Sequence, residues 1–141
     1  RINNVFHILS FGVEKRAMAI SFLLVDDSKM QRKVMQDKLT RIMGENEATF
    51  AQAGNGIQAM ELLRVNKFDL MFLDLTMPEM DGYEVLEAMQ NEKIDLYTVV
   101  VSADIQTKAL SRVRELGAVG FLRKPSKDTQ LENILKTASL I

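Results

Sequence analysis

The chain of 141 residues is the size of one compact domain, and its 47% hydrophobic and 26% charged residues are typical of a globular protein. A formal net charge of −1 gives no electrostatic basis for binding nucleic acid. The sequence contains no cysteine, which excludes disulfides and thiolate metal sites, and no apolar run reaches the roughly 18–20 residues that span a bilayer. We therefore expect a cytoplasmic protein without a nucleic-acid or membrane partner.

The first residues differ from the rest of the chain. Because Met18 directly precedes the first strongly apolar run, we interpret residues 1–17 as an N-terminal appendage, such as an expression tag, and residues 18–141 as the domain. The basic pair Lys15-Arg16 follows the apolar stretch of this appendage, whereas a secretory signal would place its charge before it. His7 is the only histidine, and its position in the appendage argues against a catalytic role.

Short apolar runs and helical patterns alternate from Ser21 onward. The predicted strands are 22–25, 48–51, 70–73, 99–101 and 119–122. Three of them are continuous apolar runs, which is typical of strands buried on both faces. Each strand is followed by a segment in which apolar residues recur with a period of about 3.6, as Met35, Leu39 and Ile42 do in the first.

Local signals mark the ends of the predicted helices. Ser28, Asn55 and Asp81 each precede a Gln or Glu by three residues, the spacing of a capping box, and Gly44 and Gly117 are typical helix ends. Five strands alternating with five helices predict a single (βα)₅ domain, in which helices cover both faces of a parallel sheet.

Polar side chains follow four of the predicted strands. Asp26 and Asp27 follow the first, Asp74 the third, Ser102 the fourth and Lys124 the fifth. Each is unremarkable alone, as a turn or a helix cap, but parallel sheets place their functional residues at the carboxyl ends of strands, so all five are expected at one edge. Carboxylates that repel one another favour a hard cation such as Mg²⁺. A carboxylate held beside Mg²⁺ can attack phosphorus, while a lysine neutralises the transferred group.

These motifs resemble those of response regulator receiver domains. The run 73–82, LDLTMPEMDG, is similar to their phosphorylation-site signature, 25–28 to their acidic pair, Ser102-Ala103 to their switch hydroxyl and Lys124-Pro125 to their lysine. The resemblance extends from about Ala19 to the C-terminus. It implies a flavodoxin-like fold with strand order 2-1-3-4-5. It also implies a phosphoacceptor signalling domain rather than an enzyme, with self-phosphorylation from small phosphodonors and autodephosphorylation.

The resemblance further implies individual roles at the site. Asp74 would accept a phosphoryl group from a sensor histidine kinase in a Mg²⁺-dependent reaction. Asp27 would bind Mg²⁺ directly, Asp26 mainly through water, Asp74 through a carboxylate oxygen, and Thr76 through its backbone carbonyl. Lys124 would pair with the phosphoryl group, and the peptide bond that follows it would be cis.

Switching is inferred from the same resemblance. Ser102 would move toward the phosphoryl group and Phe121 would rotate inward, although Phe121 is also compatible with a simple buried strand aromatic. This movement would alter the face formed by the fourth predicted helix, the fifth strand and the fifth helix, where a downstream protein would bind. Thr76 and Asp104 occupy positions that tune dephosphorylation, for which a phosphatase is a further partner.

Other functions remain open at this stage. A phosphohydrolase of the haloacid dehalogenase type also uses an aspartate nucleophile and Mg²⁺, but it needs a second aspartate where this chain has Thr76. A degenerate receiver that acts only as a docking module would lack some of the five chemical positions, all of which are filled. Few residues follow the last predicted helix, so we expect a stand-alone regulator similar to the chemotaxis type. The alternative is the receiver fragment of a larger regulator with an output domain.

Overall fold

The computed structural model describes residues 19–104 and 106–141 and contains five parallel strands in the order β2-β1-β3-β4-β5. The elements are β1 Ile20–Val25, α1 Lys29–Met43, β2 Ala48–Ala53, α2 Gly56–Val65, β3 Leu70–Leu73, α3 Gly82–Asn91, β4 Thr98–Ser102, α4 Thr107–Glu115, β5 Gly120–Arg123 and α5 Asp128–Thr137. The predicted (βα)₅ fold and strand order are confirmed. The expected appendage of residues 1–17, with His7, lies outside the described residues. No helix in the described part of the chain has the length and apolar character needed to cross a membrane.

Two hydrophobic clusters cover the two faces of the sheet. Successive strand residues point to opposite faces, so Met71 joins one cluster and Phe72 the other. The first cluster includes Met60, Leu86 and Val113 from α2, α3 and α4, and the second includes Leu39 and Leu131 from α1 and α5. All residues of the central strands β3 and β4 are buried, as their continuous apolar sequences predict.

The strand boundaries differ slightly from those predicted. β1 begins two residues before the predicted start and β2 ends two residues after the predicted end. The prediction that the fifth strand begins at Val119 is wrong, since that strand is Gly120–Arg123 and the Val119 side chain is 57% exposed. Val119 is apolar and directly precedes the strand, so the sequence does not show that it lies just outside it.

The helix caps are confirmed, but two of the three capping boxes are incomplete. The side chains of Ser28 and Asn55 accept hydrogen bonds from the amides three residues later, at 3.2 and 2.9 Å. Only Asp81 and Glu84 form the reciprocal pair. At the first helix the Ser28 amide donates to Asp26 Oδ1 at 2.8 Å and not to the side chain of Gln31, because a nearby carboxylate is the stronger acceptor.

Candidate functional site

The sheet register places the predicted carboxylates side by side. β1 and β3 are neighbours, with Val25 opposite Leu73, so the residues that follow these strands leave the sheet together. The Asp74 amide donates to the Val25 carbonyl at 2.9 Å. Asp26, Asp27 and Asp74 each offer a carboxylate oxygen within 4.8 Å of those of the other two. The expected acidic cluster at the carboxyl ends of the strands is therefore present.

Lys124 is the cation of this cluster. Its Nζ lies 2.7 Å from Asp26 Oδ2 and 3.6 Å from Asp74 Oδ2. Its amide donates to the Ser102 carbonyl at 3.0 Å, which fixes the residue beside the end of β4, and the Lys124-Pro125 bond is cis as expected. Burial opposes the charge of Lys124, but the hydrogen bond with Asp26 and the charge of Asp74 raise the pKa of the ammonium above its usual 10.5. Lys124 is therefore charged at neutral pH.

The positive charge beside Asp74 does not balance the negative charge of the three clustered carboxylates. Asp74 is only 6% exposed, and burial together with the charge of Asp26 raises its pKa from 3.8 to about 6. Asp27 adds a smaller contribution in the same direction. Lys124 and the Thr76 amide, which donates to Asp74 Oδ1 at 3.4 Å, oppose this rise without cancelling it. One ammonium thus faces three carboxylates, and an arrangement of oxygen donors with excess negative charge fits a hard divalent cation such as Mg²⁺.

Asp26 and Asp27 differ in how the protein uses their carboxylates. Both oxygens of Asp26 accept hydrogen bonds, Oδ1 from the Ser28 amide and Oδ2 from Lys124. Asp27 is exposed, and across residues 19–104 and 106–141 no donor forms a hydrogen bond with its carboxylate. Asp27 can therefore offer its oxygens to a cation without sharing them with a donor of the described residues, whereas Asp26 would share both of its oxygens with a donor.

The remaining predicted residues differ in how deeply they are buried. Ser102 is 3% exposed, and its hydroxyl accepts a hydrogen bond from the Asp104 amide at 3.1 Å. Thr76 and Asp104 are exposed beside it. Phe121 is half-buried in β5, where it pairs in register with Val100 and packs against the first hydrophobic cluster. Phe121 thus packs with the hydrophobic core, three residues before Lys124 in the chain.

Sequence reasoning missed two residues that shape the site. Arg32 of α1 donates from Nη1 to the Asp26 carbonyl at 2.6 Å. Gly82, the first residue of α3, lies so close to the loop after β3 that a Cβ there would clash with the Asp74 carbonyl and lie 2.8 Å from Leu75 Cα. Arg32 lies five residues after Asp27 in the sequence, and its contact, like that of Gly82, depends on tertiary packing and has no local sequence signal.

Comparisons with known proteins agree with this geometry. The family model of the response regulator receiver domain matches residues 22–136. The chain is 35% identical over 121 residues to the chemotaxis protein CheY of Bacillus subtilis, covering 85% of this chain and 98% of that protein. It is 32% identical over 114 residues to DctR of Bacillus subtilis, named a C4-dicarboxylate response regulator, covering 81% of this chain.

The match to DctR spans only 50% of that protein. The chain is also 34% identical to a protein-glutamate methylesterase of Clostridium acetobutylicum, and this match covers 82% of the chain but 33% of the enzyme. Among solved structures, the signal receiver domain of NarL from Mycobacterium tuberculosis superposes with a TM-score of 0.76 at 25% identity, covering 86% of this chain and 97% of that domain. Fold, strand order and sequence agree, and the chain belongs to the response regulator receiver domain family.

Proposed function

We propose that the chain is a phosphorylation switch in which Asp74 accepts a phosphoryl group from a histidine kinase in a Mg²⁺-dependent reaction. The observation that carries this proposal is the position of Asp74, which is buried between a second carboxylate and the ammonium of Lys124. Without the metal the pKa of Asp74 is about 6, so its carboxylate is mostly ionised at neutral pH, as a nucleophile must be.

The transfer requires the groups at this site, a bound Mg²⁺ and a phosphodonor. A carboxylate oxygen of Asp74 forms a bond to phosphorus as the bond between phosphorus and the donor breaks. The leaving imidazole of a phosphohistidine, or the acetate of acetyl phosphate, departs with the electron pair. A bound Mg²⁺ would supply the positive charge that allows two anionic groups to approach.

Four residues are the proposed ligands of Mg²⁺, and they differ in the hydrogen bonds that their oxygens already accept. Asp27 would bind the cation directly, since no donor in the described residues occupies its carboxylate. Asp26 would act mainly through water, as the resemblance to other receiver domains implies, while its oxygens keep their contacts with the Ser28 amide and Lys124. Asp74 would contribute one carboxylate oxygen and Thr76 its backbone carbonyl.

A phosphoryl group on Asp74 would change the site through Lys124 and Ser102. The phosphoryl group carries about −1.5 to −2 charge in place of the single negative charge of the carboxylate, so it competes with Asp26 for the ammonium of Lys124 and attracts the hydroxyl of Ser102. Because the Lys124 amide is bonded to the Ser102 carbonyl, the ends of β4 and β5 respond together. We infer that Phe121 follows this movement and that Thr76 and Asp104 at the mouth of the site tune hydrolysis.

The signal would leave the domain through the face formed by α4, β5 and α5. Among the described residues of α4, only Val113 is buried, and it packs in the first hydrophobic cluster. The N-terminus of this helix has no side-chain cap. A helix with so few anchoring contacts can shift at low energetic cost. We propose that a cytoplasmic target protein reads this face, and that a phosphatase resets Asp74.

The test is the intact mass of the protein after incubation with acetyl phosphate, with and without Mg²⁺. The proposal predicts one phosphoryl adduct that requires Mg²⁺ and is absent from Asp74→Asn, while Asp95→Asn, an exposed aspartate near the opposite end of the sheet, behaves as wild type. Rapid hydrolysis could hide the adduct, so beryllofluoride, a stable phosphoryl mimic, is added in parallel. Absence of both the adduct and Mg²⁺-dependent beryllofluoride binding would contradict the proposal and favour a docking module. Turnover of a phosphomonoester would favour the phosphohydrolase instead.

A further inference from the structure

Arg32 connects the acidic pair to two neighbouring elements. Its Nη1 donates to the Asp26 carbonyl at 2.6 Å and its Nε donates to Gln52 Oε1 of β2 at 2.8 Å. Gln52 in turn donates to Gln36 Oε1 at 2.8 Å. A Cβ on Gly54 would lie 3.5 Å from Arg32 Nη1, so the half-buried guanidinium fills the space between the loops that follow β1 and β2.

Arg32 carries a positive charge near the N-terminal end of α1, where the helix dipole disfavours it. The N-terminal end of a helix carries partial positive charge and favours acidic residues, yet α1 begins with Lys29, Arg32 and Lys33 and has no acidic residue in its first turn. The helix dipole therefore does not explain an arginine at this position. The two hydrogen bonds that Arg32 donates outside its helix do, because both connect it to the edge of the sheet where the site lies.

The carbonyl that Arg32 holds belongs to the peptide group between Asp26 and Asp27. The amide of Asp26 donates to the Ala53 carbonyl at 3.1 Å, so Asp26 is fixed from several sides. The Asp27 carboxylate, by contrast, is held by no donor in the described residues, so its direction there depends on its backbone and its own rotamer. The Arg32 hydrogen bond fixes the orientation of that backbone.

We propose that Arg32 is a positioning residue that orients the peptide between Asp26 and Asp27 so that the Asp27 carboxylate faces the cation site. The inference rests on the proposed function, since it concerns the affinity of that site for Mg²⁺. Residues that orient metal ligands without touching the metal commonly change metal affinity by about 10- to 100-fold when they are mutated.

The sign of the effect separates positioning from simple electrostatics. Arg32 is a cation near a cation site, so removal of its charge alone would strengthen Mg²⁺ binding. Removal of its hydrogen bond to the Asp26 carbonyl would instead allow the peptide to reorient and would weaken binding. The two roles predict opposite changes in one measured quantity.

The experiment is calorimetric titration of the full chain with Mg²⁺, a suitable method because the protein has no tryptophan to report binding. Arg32→Met removes both donor nitrogens and the charge but keeps most of the apolar stem of the side chain, and Arg32→Lys keeps the charge and one donor nitrogen. Arg41→Met is the matched control, because Arg41 lies on the same helix but pairs with Asp128 at 2.8 Å. Hydrogen exchange of the Ser28 amide, which donates to Asp26 Oδ1, reports the same turn without metal.

We expect Arg32→Met to weaken Mg²⁺ binding about tenfold and to speed exchange of the Ser28 amide. Arg32→Lys should recover part of the affinity, and Arg41→Met should bind as wild type does. Wild-type or tighter Mg²⁺ binding by Arg32→Met would overturn the inference and leave the proposed function intact. A wild-type protein without saturable Mg²⁺ binding would overturn both.

Discussion

Lys124 and Asp26 form an ion pair in which Nζ lies 2.7 Å from Oδ2. The same ammonium is 3.6 Å from the carboxylate of Asp74, so Lys124 contacts its neighbour more closely than it contacts the proposed acceptor. A phosphoryl group on Asp74 would carry about −1.5 to −2 charge where the carboxylate carried −1, and would compete for the ammonium. From this difference in distance we propose that Lys124 transmits the charge state of Asp74 to the rest of the domain.

Replacement of Lys124 should separate phosphorylation from switching. We expect Lys124→Ala to accept phosphate from acetyl phosphate up to roughly a hundredfold more slowly, because one charge that stabilises the transferred group is lost. The variant should no longer transmit the change to β5. The ring resonances of Phe121 in NMR spectra, recorded with and without beryllofluoride, measure this coupling. Lys127→Ala, an exposed lysine of the same loop, serves as the control, and a wild-type response of Phe121 in Lys124→Ala would remove Lys124 from the mechanism.

The raised pKa of Asp74 predicts that this residue destabilises the metal-free protein. The folded-state pKa of about 6 exceeds the ordinary value of 3.8, so ionisation is less favourable in the folded chain. This cost is absent below pH 3.8, grows as the pH rises through the interval and is complete above pH 6. Asp74→Asn should therefore raise the free energy of unfolding at pH 7 by about 1–2 kcal/mol, a value reduced for screening by water that reaches the site.

Denaturant unfolding across this pH range measures the effect. The gain from Asp74→Asn should shrink as the pH falls from 6 toward 4, and it should also shrink at pH 7 when Mg²⁺ stabilises the wild type. Asp95→Asn should show neither change, since it lies outside the acidic cluster. A stability difference between Asp74→Asn and wild type that is constant with pH would show that the carboxylate charge is not its cause.

The close approach of Gly82 to the loop after β3 predicts a large effect from a single methyl group. Gly82→Ala should cost about 1–3 kcal/mol of stability and slow phosphorylation, because the new Cβ displaces the backbone at Asp74 or Leu75. Gly54→Ala is the matched control, since its Cβ would be 3.4 Å from Gln58 Oε1, an ordinary contact. Equal stability of the two variants in thermal unfolding would indicate that the helix start at Gly82 can move away from the site.

The fold and the acidic cluster could be predicted from the sequence because both depend on pattern and topology. Continuous apolar runs such as 70–73 identify central strands, and parallel strands bring their carboxyl ends to one edge whatever the details of packing. Asp26 and Asp74 were therefore predictable neighbours from their positions after β1 and β3.

Hydrogen-bond partners and steric limits could not be predicted in the same way. The Ser28 amide has two acceptors in reach by sequence spacing, and the choice of Asp26 over Gln31 depends on where the carboxylate lies in three dimensions. The contacts of Arg32 with Asp26 and of Gly82 with the β3 loop cross between elements, so no local propensity encodes them.

The central claim is that Asp74, and not its acidic neighbours, carries the phosphoryl group. The most direct measurement is reduction of the acetyl phosphate-treated, Mg²⁺-containing protein with borohydride, which traps an acyl phosphate, followed by mass spectrometry of tryptic peptides. Trypsin separates peptide 68–93, which contains Asp74, from peptide 17–29, which contains Asp26 and Asp27. The account predicts reduction at Asp74 within peptide 68–93. Reduction within peptide 17–29, or at another aspartate of peptide 68–93, would contradict it.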